Sequence, residues 1–234
     1  MGLEGKRPHT RALFSLTLLL LAFLGGVYTT SAQEEPGGQL TERDQLKNSD
    51  AQGEANDQLP SLAEWNRERV NIQKNGMYVL GSWAVGNLAV SGYYMTKTRD
   101  RNFYFHQMNV FWNVVNLGIA GIGYAGALQS PLGLGLEQTI EEYRSFGRIL
   151  GINAALDVGY VMTGLFLKNR GKKSDSHSER LIGYGDSLVL QGSFLFVFDV
   201  TLAYINRYAL AKMAEAYSLE ISAVPWGLSV RFGW

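Results

Sequence analysis

The 234-residue sequence contains no cysteine. That absence excludes disulfides, thiolate-bound zinc or iron–sulfur centres, thiol catalysis and a cysteine-linked lipid anchor. Neither sign of charge is in excess: 21 Lys+Arg face 21 Asp+Glu, which leaves no basic footprint for nucleic acid. Nucleic acid is therefore excluded as a partner. Also missing are a Gly-rich phosphate loop, an H-E-x-x-H pair, a G-x-S-x-G elbow and a histidine pair suited to haem. No catalytic residue, cofactor or metal-ligand set is assigned on these grounds, and an enzyme acting on lipid or quinone is the least supported class. A mean hydropathy near zero hides the main feature, because very polar and very apolar segments cancel in it.

The first of these segments is N-terminal. Lys6, Arg7 and Arg11 precede an apolar run from Ala12 to Leu24, and Thr30-Ser31-Ala32 follows. This is the layout of a signal peptide over 1–32, with cleavage expected after Ala32 because small residues stand at the processing positions. A retained anchor would add a fifth helix. Residues 33–60 are rich in Gln, Glu, Asp, Asn and Gly and bury too little apolar surface to offset the entropy of ordering, so a disordered polar tether is expected. At Ser61-Leu62-Ala63-Glu64 the spacing of a capping box marks a helix start. Leu62, Trp65 and Val70, interspersed with charges, suggest an amphipathic turn or two lying in a membrane interface.

Four long apolar stretches follow, at about 76–95, 103–128, 149–167 and 181–206. Each is long enough to cross a hydrocarbon layer of ~30 Å at ~1.5 Å per residue. The fold expected for 61–207 is an all-α four-transmembrane-helix bundle, its lipid-facing surface provided by the bilayer. Lys97, Arg99 and Arg101 lie between the first two spans, and Lys168, Arg170, Lys172, Lys173 and Arg180 follow the third. The loop between the second and third is acidic, with Glu137, Glu141 and Glu142 against only Arg144 and Arg148. Positive loops stay in the cytoplasm, and an export signal independently places the mature N-terminus outside. Both point to a bacterial inner membrane with periplasmic N- and C-termini. A capping-box spacing at Ser176 to Glu179 suggests the start of the fourth span. Beyond Asn206, the tail over 208–234 reads as a short amphipathic helix (Tyr208 to Leu219) and then a strand, since Leu228, Val230, Phe232 and Trp234 alternate with Ser229, Arg231 and Gly233. A terminal aromatic on such a strand also occurs in outer-membrane barrels, so the outer membrane is the alternative location. A faint repeat aligns Leu80-Gly81 through Asn87 with Leu150-Gly151 through Asp157, as two duplicated helical hairpins would.

The second span holds the most informative pattern. Asn102, His106, Asn109, Asn113 and Asn116 are spaced four, three, four and three, and Ala120, Gly123 and Ala127 continue the same seam. A polar seam facing lipid would leave its amides without partners, so it must face other helices or water. Asn87 on the first span, Asn153 and Asp157 on the third, and Asp186, Gln191 and Asp199 on the fourth could complete a polar interior. Buried amides often do no more than pair helices, at ~0.6 kcal/mol each, and that is the preferred reading of the Asn seam. Acids differ, since an ionised Asp at mid-membrane costs at least ~2.5 kcal/mol; Asp157, midway along its span, is the sharpest functional candidate. His106 could relay a proton, but no second nitrogen ligand accompanies it. Gly147/Gly151, Ala155/Gly159 and Gly123/Ala127 have small-xxx-small spacing, which allows close helix packing.

The stretch Phe105-His106-Gln107-Met108-Asn109, with Trp112-Asn113-Val114-Val115-Asn116-Leu117-Gly118, resembles an uncharacterised family of small bacterial four-helix integral membrane proteins. Gly183-Tyr184-Gly185-Asp186-Ser187, with Gln191-Gly192 and Asp199, is similar to the last helix of that family. The resemblance covers roughly Arg69 to Asn206 and implies the four-helix membrane fold without an activity. Two functional expectations follow. One is a non-enzymatic bundle that forms a homo-oligomer or anchors an envelope complex, engaging another envelope protein through 208–234, for instance by strand addition. The other is a small transporter or proton- or ion-conducting unit working through its intramembrane Asp and Asn residues.

Overall fold

The structure, a computed structural model, describes residues 60–174, 176–217, 219–224 and 227–232. The expected signal peptide and nearly all of the expected tether lie outside the described residues, as does Trp234. Four helices and a terminal hairpin form the described part: α1 (Leu62–Lys97), α2 (Arg101–Gln129), α3 (Leu136–Gly171), α4 (Ser178–Ala216), β1 (Leu219–Val224) and β2 (Gly227–Phe232).

Local chemistry sets the helix starts. Ser61 caps α1: its hydroxyl accepts the Glu64 N–H at 3.3 Å, and the Glu64 carboxylate accepts the Ser61 N–H at 2.6 Å. That N–H holds the Glu64 carboxyl below its ordinary pKa. Asp100 caps α2 by accepting the Asn102 N–H at 2.9 Å. The start of α4 departs from the capping-box expectation. His177 occupies the cap without a side-chain capping bond to the helix, its Nδ1 being engaged with the Ser176 hydroxyl at 2.8 Å.

Three helices, α2, α3 and α4, are long and apolar enough to cross a membrane. α1 is not among them, although it is 36 residues long. Chain neighbours pack most extensively, α1 along α2 and α3 along α4, while α2 and α4 join the two pairs. At 36, 36 and 39 residues, α1, α3 and α4 extend ~54–58 Å, well beyond a ~30 Å hydrocarbon layer. Their excess length gathers at one end as a three-helix head. Trp65, Ile72, Ile140, Tyr143, Leu210 and Met213 form its core. The hairpin strands lie beside α3 and α4.

The head explains three departures from the sequence reading. Trp65 and Val70 are buried rather than lying in an interface, because α1 runs on as one helix and packs inside the head. Glu137, Glu141 and Glu142 belong to the first turns of α3 rather than to a loop. α4 continues without a break to Ala216, since Ala209, Leu210, Met213 and Ala214 have a core to fill. The expected strand is β2, and it has an antiparallel partner, β1, that the sequence reading did not anticipate.

Below the head the distribution inverts. Val114, Met162, Phe166 and Val197 point outward, while Asn109, Asn113, Asn116, Asp157, Ser187, Gln191 and Asp199 are buried. Glycines bring α3 and α4 close together. A Cβ on Gly164 would stand 2.7 Å from the Gly185 carbonyl oxygen, and one on Gly192 would stand 2.9 Å from that of Asp157. Of the expected small-residue pairs, Gly151, Ala155 and Gly159 instead face outward, and Cβ atoms on the two glycines would meet nothing within 4 Å.

Candidate polar site in the bundle core

The seam on α2 turns inward from Asn109 onward, whereas Asn102 at its start is exposed. Asn109 is its hub: the Asn109 Oδ1 accepts from Gln191 Nε2 at 2.7 Å and from the Ser187 hydroxyl at 2.9 Å, both on α4. Two donors fill both lone pairs of that oxygen. Gln191 in turn accepts the Trp83 indole N–H of α1 at 3.0 Å. One chain of hydrogen bonds thus ties α1, α4 and α2 at mid-bundle. A second tie, the Tyr184 hydroxyl donating to Gln107 Oε1 at 2.6 Å, lies nearer the end away from the head. These two spacings place Asn109 beside Ser187 and Gln191, so α2 and α4 run parallel.

Asp157 and Asp199 form a separate cluster between α3 and α4. Their side chains lie close enough to interact, with the Asn153 side chain beside Asp199. Gly192 lets the α4 backbone approach the Asp157 carbonyl of α3. The acids are 3% and 5% exposed. Among the described residues, neither acid forms a salt bridge. Nearby, the Trp112 ring lies edge-on to Tyr160 at 4.7 Å. Trp112 Nε1, Asn113 Oδ1, Asn116 Nδ2 and Asp157 Oδ2 are buried without a protein partner.

Of the other expected site residues, His106 and Asp186 lie apart from both clusters, while Asn87 borders the first. His106 Nδ1 is 3.2 Å from the Ser91 hydroxyl, with its ring stacked on Tyr94. Asn87 donates to the Trp83 carbonyl one turn back, at 2.9 Å. Asp186 sits at the end opposite the head, where Arg101 and Lys168 both pair with it, Lys168 at 2.8 Å. It locks the ends of α2, α3 and α4 together. No group of three or more His, Cys, Asp or Glu suited to a metal occurs among the described residues.

A third polar set, in the head, was missed by the sequence reading. The Arg69 side chain is fully buried, donating to Glu142 Oε2 at 3.3 Å and to the Pro131 carbonyl at 3.2 Å. Burial lowers the pKa of its guanidinium, with Glu142 acting in the opposite sense. Asn66 donates to the Thr139 hydroxyl at 2.9 Å, the Tyr143 hydroxyl to the Trp65 carbonyl at 3.2 Å, and Asn206 to the Tyr143 carbonyl at 2.8 Å. Burial raises the pKa of the Tyr143 phenol. Asn66, Arg69 and Glu142 lie on polar stretches that read as surface or loop. The available signal was the three-residue spacing of Asn66 and Arg69 beside the apolar Trp65 and Ile72, which puts them near one inward face.

A family described as a family of unknown function, DUF6992, matches residues 79–200, just over half of the chain. That span contains both bundle clusters and excludes Asn66, Arg69 and the hairpin. No curated protein and no solved structure matches.

Proposed function

The chain belongs to this family of unknown function, and we propose that it acts as a non-enzymatic membrane-embedded bundle that anchors an assembly through its head and hairpin. One observation carries the reading: the Trp83–Gln191–Asn109–Ser187 chain joins polar groups of three helices to one another. Such pairing fixes helix register in a lipid phase. α1 completes a four-span bundle through its uncharged stretch Gly76–Met95. Its indole N–H on Gln191 would otherwise be unsatisfied in hydrocarbon. Lys97, Arg99, Arg101, Lys168, Arg170, Lys172, Lys173 and Arg180 give the end opposite the head a basic excess, whereas Arg67, Arg69, Lys74, Arg144, Arg148, Arg207 and Lys212 at the head are nearly balanced by Glu64, Glu68, Glu137, Glu141, Glu142 and Glu215. That asymmetry assigns the former end to the cytoplasm. The head and hairpin then face outward from a bacterial inner membrane. A two-stranded hairpin is marginal alone, and its free edges suit strand addition by a neighbouring protein or a second copy. In-cell cross-linking tests this: a higher-mass species is expected from the full chain and should vanish when 218–234 is deleted. An unchanged cross-linking pattern sinks the anchoring role of the tail.

A second reading, proton or ion passage, is favoured by the contact between Asp157 and Asp199. Asp157→Asn then abolishes flux in reconstituted vesicles. Flux equal in wild type and variant, or absent from both, removes that reading.

A further inference from the structure

We infer that the furrow between α1 and α4, just below the head, binds one acyl chain of a phospholipid. This rests on the membrane-embedded reading above and adds a ligand to it. The furrow has a volume of about 390 Å³ and is lined by Gly76 and Val79 of α1 and by Phe194, Val197, Thr201 and Leu202 of α4. Gly76 narrows it at one point, where a Cβ would stand 2.6 Å from a Leu202 methyl. At its inner end the Trp83 ring stacks on Phe194, with centroids 3.8 Å apart, and holds the two helices together. Between these contacts Val79 and Val197 flank the open space, each more than half exposed.

Shape selects the occupant. The α4 segment 194–205 rises ~16 Å at ~1.5 Å per residue, so the volume corresponds to a cross-section of ~24 Å², against ~80 Å² for a helix ~10 Å across. A second transmembrane helix is too wide to enter such a furrow and could only pack over it, whereas a single hydrocarbon chain can lie within it. Apolar side chains gain nothing from leaving lipid for protein, so what a bound chain adds is contact along walls that bulk lipid fills loosely. On α4 the furrow face continues at three- and four-residue spacing through Thr201, Ile205, Tyr208 and Lys212. The Lys212 ammonium lies 5.5 Å over the Tyr208 ring. It is placed on the side from which a phosphate head group would approach.

The test uses the full chain in vesicles containing a phospholipid with a photoactivatable group on its acyl chain. Adducts on 72–79 and 194–205 should exceed those on the outward face of α3, Gly151 to Met162, by about tenfold. Equal labelling of all lipid-facing surfaces overturns the furrow site while leaving the membrane reading standing; no labelling anywhere overturns both. In mild detergent, native mass spectrometry should find one phospholipid retained per chain. A variant with Val197→Trp and Thr201→Trp, which fills the furrow, should lose it while keeping its helix content. Retention equal to wild type, or a lipid-free dimer that the double variant splits into monomers, also overturns the proposal.

Discussion

The head and the middle of the bundle are built from the same helices but obey opposite rules. In the head, large apolar side chains such as Trp65, Leu210 and Met213 are inside, and Glu142 keeps its half-exposed carboxylate in water. Through the middle, Phe166 and Val197 are outside and amides are inside. Water rewards burying apolar area. Lipid does not, and instead penalises any unpaired polar group. The switch between the two regimes occurs along single uninterrupted helices, which on the membrane-embedded reading is a change of solvent around one scaffold rather than a domain boundary.

The comparison breaks most severely at Gly164. A Gly164→Val substitution would drive a methyl against the Gly185 carbonyl oxygen and the Val189 nitrogen, neither of which can yield without moving α4. A loss of ~3 kcal/mol or more is expected, read as unfolding in detergent, and it should also separate Asp157 from Asp199. Retained stability would mean that helix approach does not hold the middle together. In the head, Arg69→Ala removes the donor to Pro131 and leaves a cavity. Because Glu142 can return to water, the cost should sit at the low end for a buried pair, ~2–3 kcal/mol. Arg69→Met keeps the stem packing and should recover most of that. If Met proves as harmful as Ala, charge rather than packing governs the head.

Gln191→Leu sharpens the contrast from the other side. It strands the Trp83 N–H and removes one donor from Asn109, and ~1 kcal/mol is expected, as for other intramembrane hydrogen bonds. A loss as large as that from Arg69→Ala would show that the network, not the glycine contact, dominates. The smallest effect belongs to Glu64. Its folded pKa lies below the ordinary 4.5, so its contribution is present above that value and fades as pH falls through the lower folded one. Glu64→Gln should flatten this slight acid dependence of the melting temperature, and an unchanged profile would show that the cap is without thermodynamic effect.

Much of the middle was legible. Asn109, Asn113 and Asn116 share a face because three- and four-residue steps leave a helical residue no other choice, and all three are buried. Partner choice was not legible. Nothing in the spacing says that Asn109 meets Gln191 and Ser187 while Asp157 meets Asp199, because rotation and depth of each helix are set by packing against the others. The head was read least well. Its polar residues resemble a loop until three helix ends converge and bury them.

By itself the sequence determined four long apolar helical stretches, the Ser61 cap and the inward side of α2. These are local consequences of period, composition and capping chemistry. Tertiary structure alone decided that three helix ends make a head, that Arg69 is buried, and which carboxyl faces which. Each of these depends on groups that lie far apart in the chain, so only packing could bring them together.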